Sequence, residues 1–315
     1  MGRAARRRAR RSAPPLPQRE GLDPVRWRVG PEATPHSTAL SALAARFPAL
    51  LDPAAVPLSE RFANGEVLRA DGTAWTAEDP LAPGDELWFH RELREERVEG
   101  PDPAILLADD HLLVVDKPHD MATMPRGAHV LASALVRLRR ATGITTLTPL
   151  HRLDRRTAGV LALGIRPEER AAYQGLFARG EVDKEYLARV HLHEDTRIPR
   201  TPGQRFVMSD RLGRTRGELQ TRAVPGEPNA LTEAEVRSSD GATAQVRLTP
   251  RTGRTHQLRA QLALRGAPIV GDDLYPRVRE VGPDDPALSL LARTLAFTDP
   301  VTGRARRFRS RRELP

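Results

Sequence analysis

The sequence predicts an α+β protein: a mixed, largely antiparallel sheet with flanking helices over residues 98–315, preceded by a small α/β module over 31–97. Three observations carry this. Beyond residue 105, strand-like runs follow one another with helices interspersed and no regular strand–helix–strand repeat, which is the α+β pattern. Residues 37–90 read instead as helix, helix and small hairpin. Between the two regions, 91–103 is charged and punctuated by Pro and Gly, as a linker is.

In chain order, residues 1–30 have clustered Arg and Pro with little apolar periodicity and read as a loosely held basic arm. Leu40, Leu43, Ala44 and Phe47 recur at helical spacing, and Pro48 stops that helix. A second short helix over 58–63 ends at Asn64-Gly65. Residues 66–69 read as a strand, 70–72 and 83–85 as turns, and 86–89 as a strand.

In the larger region, 105–107 and 112–115 are strands around the Asp109-Asp110 turn. Residues 130–142 are amphipathic, with Leu131, Leu135 and Leu138 on one stripe. A buried strand over 160–164 precedes a helix over 167–179 that opens with proline. Alternation marks strands at 186–192, 231–237 and 243–248. A helix over 255–264 and a late strand over 291–297 complete the region.

At 315 residues with 39% apolar side chains, the chain is long enough to bury a sizeable core. It has no cysteine, which excludes disulfide scaffolds, thiolate metal sites and cysteine nucleophiles. No apolar run approaches the roughly 20 residues that cross a bilayer, and MGRAARRRARRS has no hydrophobic stretch behind it. A soluble cytoplasmic protein without a membrane partner is the expectation. The net charge of +9 is concentrated at the tips, with six arginines in residues 1–12 and six in 304–315, and the body between is close to neutral. Arginine-rich tips suit a polyanion such as nucleic acid, though abundant Ala, Arg and Pro throughout are equally a compositional habit. All but two of the 50 basic residues are arginine. The exceptions, Lys117 and Lys184, each lie beside a segment able to do chemistry, where a compact ammonium differs from a planar fork.

Three such segments stand out. In 149–159, Asp154 sits among Arg152, Arg155 and Arg156 just ahead of an apolar strand, with His151 nearby. Guanidinium neighbours favour an acceptor-only carboxylate, which serves as nucleophile, base or salt-bridge anchor. In 182–190, Lys184 and Tyr186 are two apart and share a face if the segment is a strand; the tyrosine either stacks on a base or packs across strands. In 249–263, a Gly turn feeds a helix with Thr255, His256 and Arg259 on its first turn and Arg251 and Arg254 just ahead. Amides and guanidiniums there suit an anion.

The order HRLDRRTAG, K-x-Y, RTGRTHQLR and PIVGDDLY, with DDHLLVVDKP upstream, resembles the RluA family of pseudouridine synthases over roughly 105–300. The resemblance implies an isomerase that needs neither cofactor nor metal. Its partner is ribosomal or transfer RNA, and it flips the target uridine out of the RNA. It further implies Asp154 as the catalytic aspartate, Tyr186 as the active-site tyrosine and Arg259 as the arginine pairing with the aspartate. Arg152 would fill the space of the flipped base, and His151, Lys117, Lys184, Arg254 and His256 would complete substrate binding in a monomer. Residues 37–90 are similar to a small RNA-binding domain common ahead of this catalytic domain, but the helix expected to be basic carries only Arg61. Ala158 and Gln261 stand where the family often has serine and histidine. Two rivals are a non-catalytic RNA-binding platform and an N-glycosidic hydrolase. The hydrolase needs a second carboxylate, for which Asp272 and Asp273 are the candidates.

Overall fold

The computed structural model describes residues 14–31, 38–93, 96, 100–125, 127, 129–215, 217–282 and 284–315. The chain divides into two compact units, Met1–Arg97 and Val98–Pro315.

In the first unit, β1 (Val25–Arg28) is followed by α1 (Ala39–Arg46), a 3-10 turn at Pro48–Leu51, α2 (Leu58–Ala63) and β2 (Glu86–Phe89). Thr38 caps α1 by accepting from the Ser41 amide at 3.2 Å, as a helix start requires. Leu43 of α1, Phe62 of α2 and Leu87 of β2 meet Val67 and Trp75 in one core. The basic arm expected over 1–30 is only partly open to comparison. Residues 1–13 lie outside the described residues, while Val25–Arg28 pairs antiparallel with β2. The strand expected at 66–69 reduces to isolated bridges from Leu68 to Ala74 and Trp88. Arg61 is 3% exposed; its guanidinium donates to Glu66 and to the His90 carbonyl. It is therefore a structural cation rather than a surface for RNA.

The second unit opens with β3 (Ala104–Ala108), β4 (Leu112–Lys117), α3 (Ala134–Thr142), β5 (Thr148–Pro149), β6 (Ala158–Gly164) and α4 (Arg170–Arg179). It continues through β7 (Asp183–His191), β8 (Arg205–Asp210), β9 (Leu212–Gly213), β10 (Arg222–Ala223), β11 (Ala230–Ser239) and β12 (Thr243–Pro250). It ends with α5 (Gln257–Ala263), β13 (Leu290–Thr298) and β14 (Ala305–Arg309). One ten-stranded sheet runs β3-β4-β6-β13-β7-β12-β11-β8, with β14 beside β13 and β5 beside β6. Its pairings are antiparallel except β6 with β13. The mixed, largely antiparallel α+β fold is as the sequence predicts.

Alternation along β6 separates the two faces of the sheet. Leu161 and Leu163 pack with Leu135 and Leu138 of α3, whereas Val160 and Ala162 pack with Tyr173 and Leu176 of α4. Leu258 and Leu262 of α5 cover a further cluster with Val190 and Val246. Tyr186 of β7 touches both the α3 and the α5 clusters. Besides the two-residue strands β5, β9 and β10, two longer strands of this unit lie outside the sequence pattern. β8 buries only Met208 fully, so its apolar residues do not alternate cleanly. β14 was hidden in the basic C-terminal run, where Arg306 is held by Asp299 and Asp109 and Arg312 lies 3.5 Å from Asp116.

The close approach of β6 and β13 depends on Gly159. Its φ is +116°, and a Cβ there would lie 2.2 Å from the Ala292 carbonyl oxygen. Gly159→Ala should destabilise the second unit by about 3 kcal/mol, read as a lowered denaturation midpoint in urea.

Candidate active site

The segment between β5 and β6 carries Asp154, and its backbone is clamped by the β4–α3 connection. Lys117, fully buried, donates to the carbonyls of Pro118 (2.9 Å), Met121 (2.8 Å) and Arg155 (3.2 Å). His119 Nδ1 donates to the Arg156 carbonyl at 2.7 Å. Thr123 Oγ1 donates to the Leu153 carbonyl at 2.7 Å and accepts from the Leu153 amide at 3.1 Å. Carbonyls or amides of Leu153, Arg155 and Arg156 are thus all held, and Asp154 projects from a fixed loop. Arg156 extends the clamp to the far side, donating to the carbonyls of Gly271 (2.8 Å) and Pro286 (3.0 Å).

The Asp154 side chain is 33% exposed. Among the described residues its carboxylate accepts no hydrogen bond, and a guanidinium and an imidazole face it. Arg259 NH1 is 3.9 Å from Oδ2, and His256 Nε2 is 3.9 Å from Oδ1. Both come from the start of α5, where His256 has a left-handed φ of +53° that turns its ring towards the loop. Tyr186 lies within the electrostatic reach of Asp154 from β7. Burial first, and then the Asp154 charge, raises its pKa, so the phenol stays protonated.

Arg259 pairs first with other residues than the aspartate expected. Its Nε donates to Asp272 Oδ2 at 2.9 Å, and NH2 donates to Asp272 Oδ1 at 2.5 Å and Asp273 Oδ1 at 2.7 Å. Asp272 also accepts the amides of Leu274 (2.8 Å) and Tyr275 (2.9 Å). Only NH1 is left to face Asp154. Tyr275, which sequence reading passed over at the end of PIVGDDLY, completes this wall. Its ring lies 5.6 Å from the Arg259 guanidinium and edge-on to His256, with its hydroxyl 3.4 Å from His256 Nδ1. Burial lowers the His256 pKa; Asp154 opposes this, and Arg259 and Arg214 reinforce it.

Several residues expected to bind substrate have other work. All three ammonium protons of Lys117 are directed at carbonyls, so it shapes the loop and has no proton left to offer a substrate. His151 stacks on Phe177 at 5.0 Å and accepts the Ala162 amide through Nε2, filling the sheet beside β6. Gln261, which stands where the family often has histidine and is no substrate-binding expectation, is fully buried and bonded to Thr232, Asp210 and the Met208 carbonyl. Arg254 is exposed and donates to the Asn229 carbonyl at 3.1 Å. Arg152 is exposed, with no ion pair or side-chain hydrogen bond among the described residues. Lys184 lies beneath Gly253, equally without a partner among them, and burial lowers its pKa.

Residues 111–264, from the β3–β4 turn to the end of α5, match the family model described as RNA pseudouridylate synthase. The dual-specificity RNA pseudouridine synthase RluA of Yersinia pestis is 31% identical over 217 residues, covering 67% of this chain and 99% of that protein. The chain belongs to the RNA pseudouridylate synthase family. The mitochondrial tRNA pseudouridine(32) synthase of Saccharomyces cerevisiae is 29% identical over 67% of this chain and 45% of its own length. Human RNA pseudouridylate synthase domain containing 1 shares the fold, with a TM-score of 0.53 at 24% identity over 69% of this chain and 86% of that one. Pseudouridine synthases are isomerases, and in this one the described residues hold no group of His, Cys, Asp or Glu arranged to bind a metal.

Burial pushes the His151 pKa down to about 3, with the Lys184 charge adding to it. The folded state therefore keeps the ring neutral while the unfolded state protonates near pH 6.5. Stability should fall as pH drops from 6.5 towards 3, and His151→Gln should flatten that acid limb in urea titrations across pH.

Proposed function

We propose that this synthase converts uridines in ribosomal or transfer RNA to pseudouridine, with Asp154 as the group that starts the reaction. The observation carrying the proposal is an unbonded carboxylate on a clamped loop, faced by Arg259 and His256 at 3.9 Å and near a buried phenol. The isomerisation breaks the bond from uracil N1 to ribose C1′, turns the base, and forms a bond from C5 to C1′. The C5 proton is lost and N1 regains one, so nothing else leaves or enters and no cofactor is required. An Asp154 oxygen has three available starts: attack at C1′, attack at uracil C6, or removal of the 2′ proton. Each needs lone pairs not already occupied by protein donors, which is the state of Asp154.

Asp272 differs at every point. Its oxygens are filled by Arg259 and two amides, so it holds Arg259 and has none free to activate water. This removes Asp272 as the second available carboxylate that a hydrolase needs, and Asp273 is engaged by Arg259 and lies 3.6 Å from Arg156. Arg259, locked by Asp272 and Asp273, offers NH1 at a fixed position to charge developing on or near Asp154. Tyr186 stacks on the extruded uracil. Because its phenol is protonated, it accepts the C5 proton only while passing its own onward. Reaching a paired base costs a few kcal/mol of unstacking. Arg152, exposed and unpaired two residues from Asp154, stacks into the gap, and Lys184 and the exposed Arg254 serve flanking phosphates. One chain supplies every group in the site, which supports a monomeric enzyme. A cysteine-free composition suits the reducing cytoplasm.

Asp154→Asn should reduce pseudouridine formation on a cognate RNA below detection while thermal stability and RNA affinity change little. Tyr186→Phe should lower kcat by about 10²-fold with KM nearly unchanged. Both are read by pseudouridine-specific chemical mapping of the RNA. Arg152→Ala should lower kcat/KM by about tenfold more on a uridine within a stem than on the same uridine in an unstructured oligonucleotide; equal losses would contradict its role in flipping.

A further inference from the structure

The C-terminal run turns out to be two sets of arginines with opposite fates. Along β14 the residues alternate, and the half-buried ones are taken. Arg306 donates to Asp299 at 3.1 Å and Asp109 at 2.8 Å, and Phe308 packs against Phe297 on the α4 side of the sheet. Arg307 and Arg309 point the other way, away from α4. They are exposed, and neither makes an ion pair or side-chain hydrogen bond among the described residues. Arg311 follows at the same spacing, also exposed and with its side chain unpaired, while its backbone amide is pinned to Asp116 Oδ2 at 2.7 Å.

Two features set these three apart from an ordinary solvated charge run. First, three successive outward positions of one extended segment carry arginines without a carboxylate partner, whereas Arg179 pairs with Glu181, Arg251 with Glu233, and Arg237 with Glu235. Among the described residues no carboxylate pairs with the row. Second, the row is tied to the catalytic loop. Asp116, which anchors Arg311, is followed by Lys117, whose ammonium holds the carbonyl of Arg155 beside Asp154. The side of the sheet away from α4 is also the side on which Tyr186 packs.

We propose that Arg307, Arg309 and Arg311 form a phosphate-binding rail for the RNA strand that leads into the Asp154 pocket. Alternate residues of an extended chain stand about 6.7 Å apart, comparable to successive phosphates along one RNA strand. Guanidiniums at that pitch contact consecutive phosphates without reading the bases. The rail deepens the function proposed above and rests on it. It places the strand's backbone by charge, with Arg152 and Tyr186 dealing with the base.

The test is binding of a labelled transfer-RNA transcript and a labelled ribosomal-RNA stem-loop by fluorescence anisotropy, at salt from about 50 to 200 mM. The full chain is compared with Arg307→Gln/Arg309→Gln/Arg311→Gln and with the same three positions changed to Lys. Each phosphate contact contributes about 0.7 to 0.9 to the slope of log affinity against log salt, so the Gln variant should lose about 2 from that slope. It should bind about tenfold more weakly at the upper salt, with kcat at saturating RNA unchanged, and the Lys variant should behave as the parent chain. An unchanged slope in a folded Gln variant overturns the rail. So does a loss equally large in the Lys variant, which signals damage to the fold rather than loss of charge. Vesicles rich in phosphatidylserine form a parallel arm, and arginine-dependent binding to them with RNA binding unaltered would also overturn it. Arginine-dependent RNA binding by a chain that makes no pseudouridine supports the rail and sinks the reaction assignment alone.

Discussion

The site hangs on a buried guanidinium. Arg259 is 3% exposed and lies in a fork with Asp272, itself almost wholly buried, with Asp273 alongside. Removing one member of such a pair strands the other charge at a cost of about 3 to 5 kcal/mol. The pair joins α5 to the 271–275 turn, and that turn is joined in turn to the Asp154 loop by Arg156. Gly271 makes the junction close: its φ is +74°, and a Cβ would meet the Ala287 carbonyl oxygen at 2.3 Å. The Asp154 loop and the distant 257–275 stretch are thereby locked into one wall, with a single guanidinium nitrogen left for the reaction.

The opposite wall is fixed by neutral acceptors. Lys117 gathers three carbonyls with one ammonium, a convergent geometry suited to a tetrahedral group and poorly served by a planar fork. Burial pushes its pKa down to about 7, countered in part by Asp154 and Asp120. In a chain whose basic residues are otherwise almost entirely arginine, the survival of this lysine has a geometric reason. Asp154 is consequently poised without being bonded. Its loop is immobilised through the backbone, so the carboxylate itself needs no protein partner.

Charge is apportioned by position. Arg61, Arg156 and Arg259 are internal struts; Arg205, Arg237 and Arg247 surround Glu235 on the sheet. The net positive charge of the whole chain therefore says little about where a polyanion docks. Among the described residues, it is unpaired cations such as Arg152 and the outward row of β14 that can receive one.

Much of this was legible in the residues. One-sided periodicity located α1 and β12, unbroken apolar runs located β4 and β6, and the motifs around Asp154, Tyr186 and Arg259 pointed to one site. Other features were not legible. β14 read as a tail because its apolar content is one phenylalanine. Val25–Arg28 read as part of an arm because its burial comes from a distant partner, β2. His151 and Lys117 read as substrate contacts because adjacency in sequence does not say which way a side chain turns. The sequence by itself determined the fold class, the family and which residue types meet in the site. Only the tertiary structure decided that Arg259 is held by Asp272 and merely faces Asp154, that Lys117 serves the loop, and which arginines stay free. The reason is physical: local pattern records burial and propensity, whereas the partner of a charge is set by which distant segment the packed sheet brings within a few ångströms.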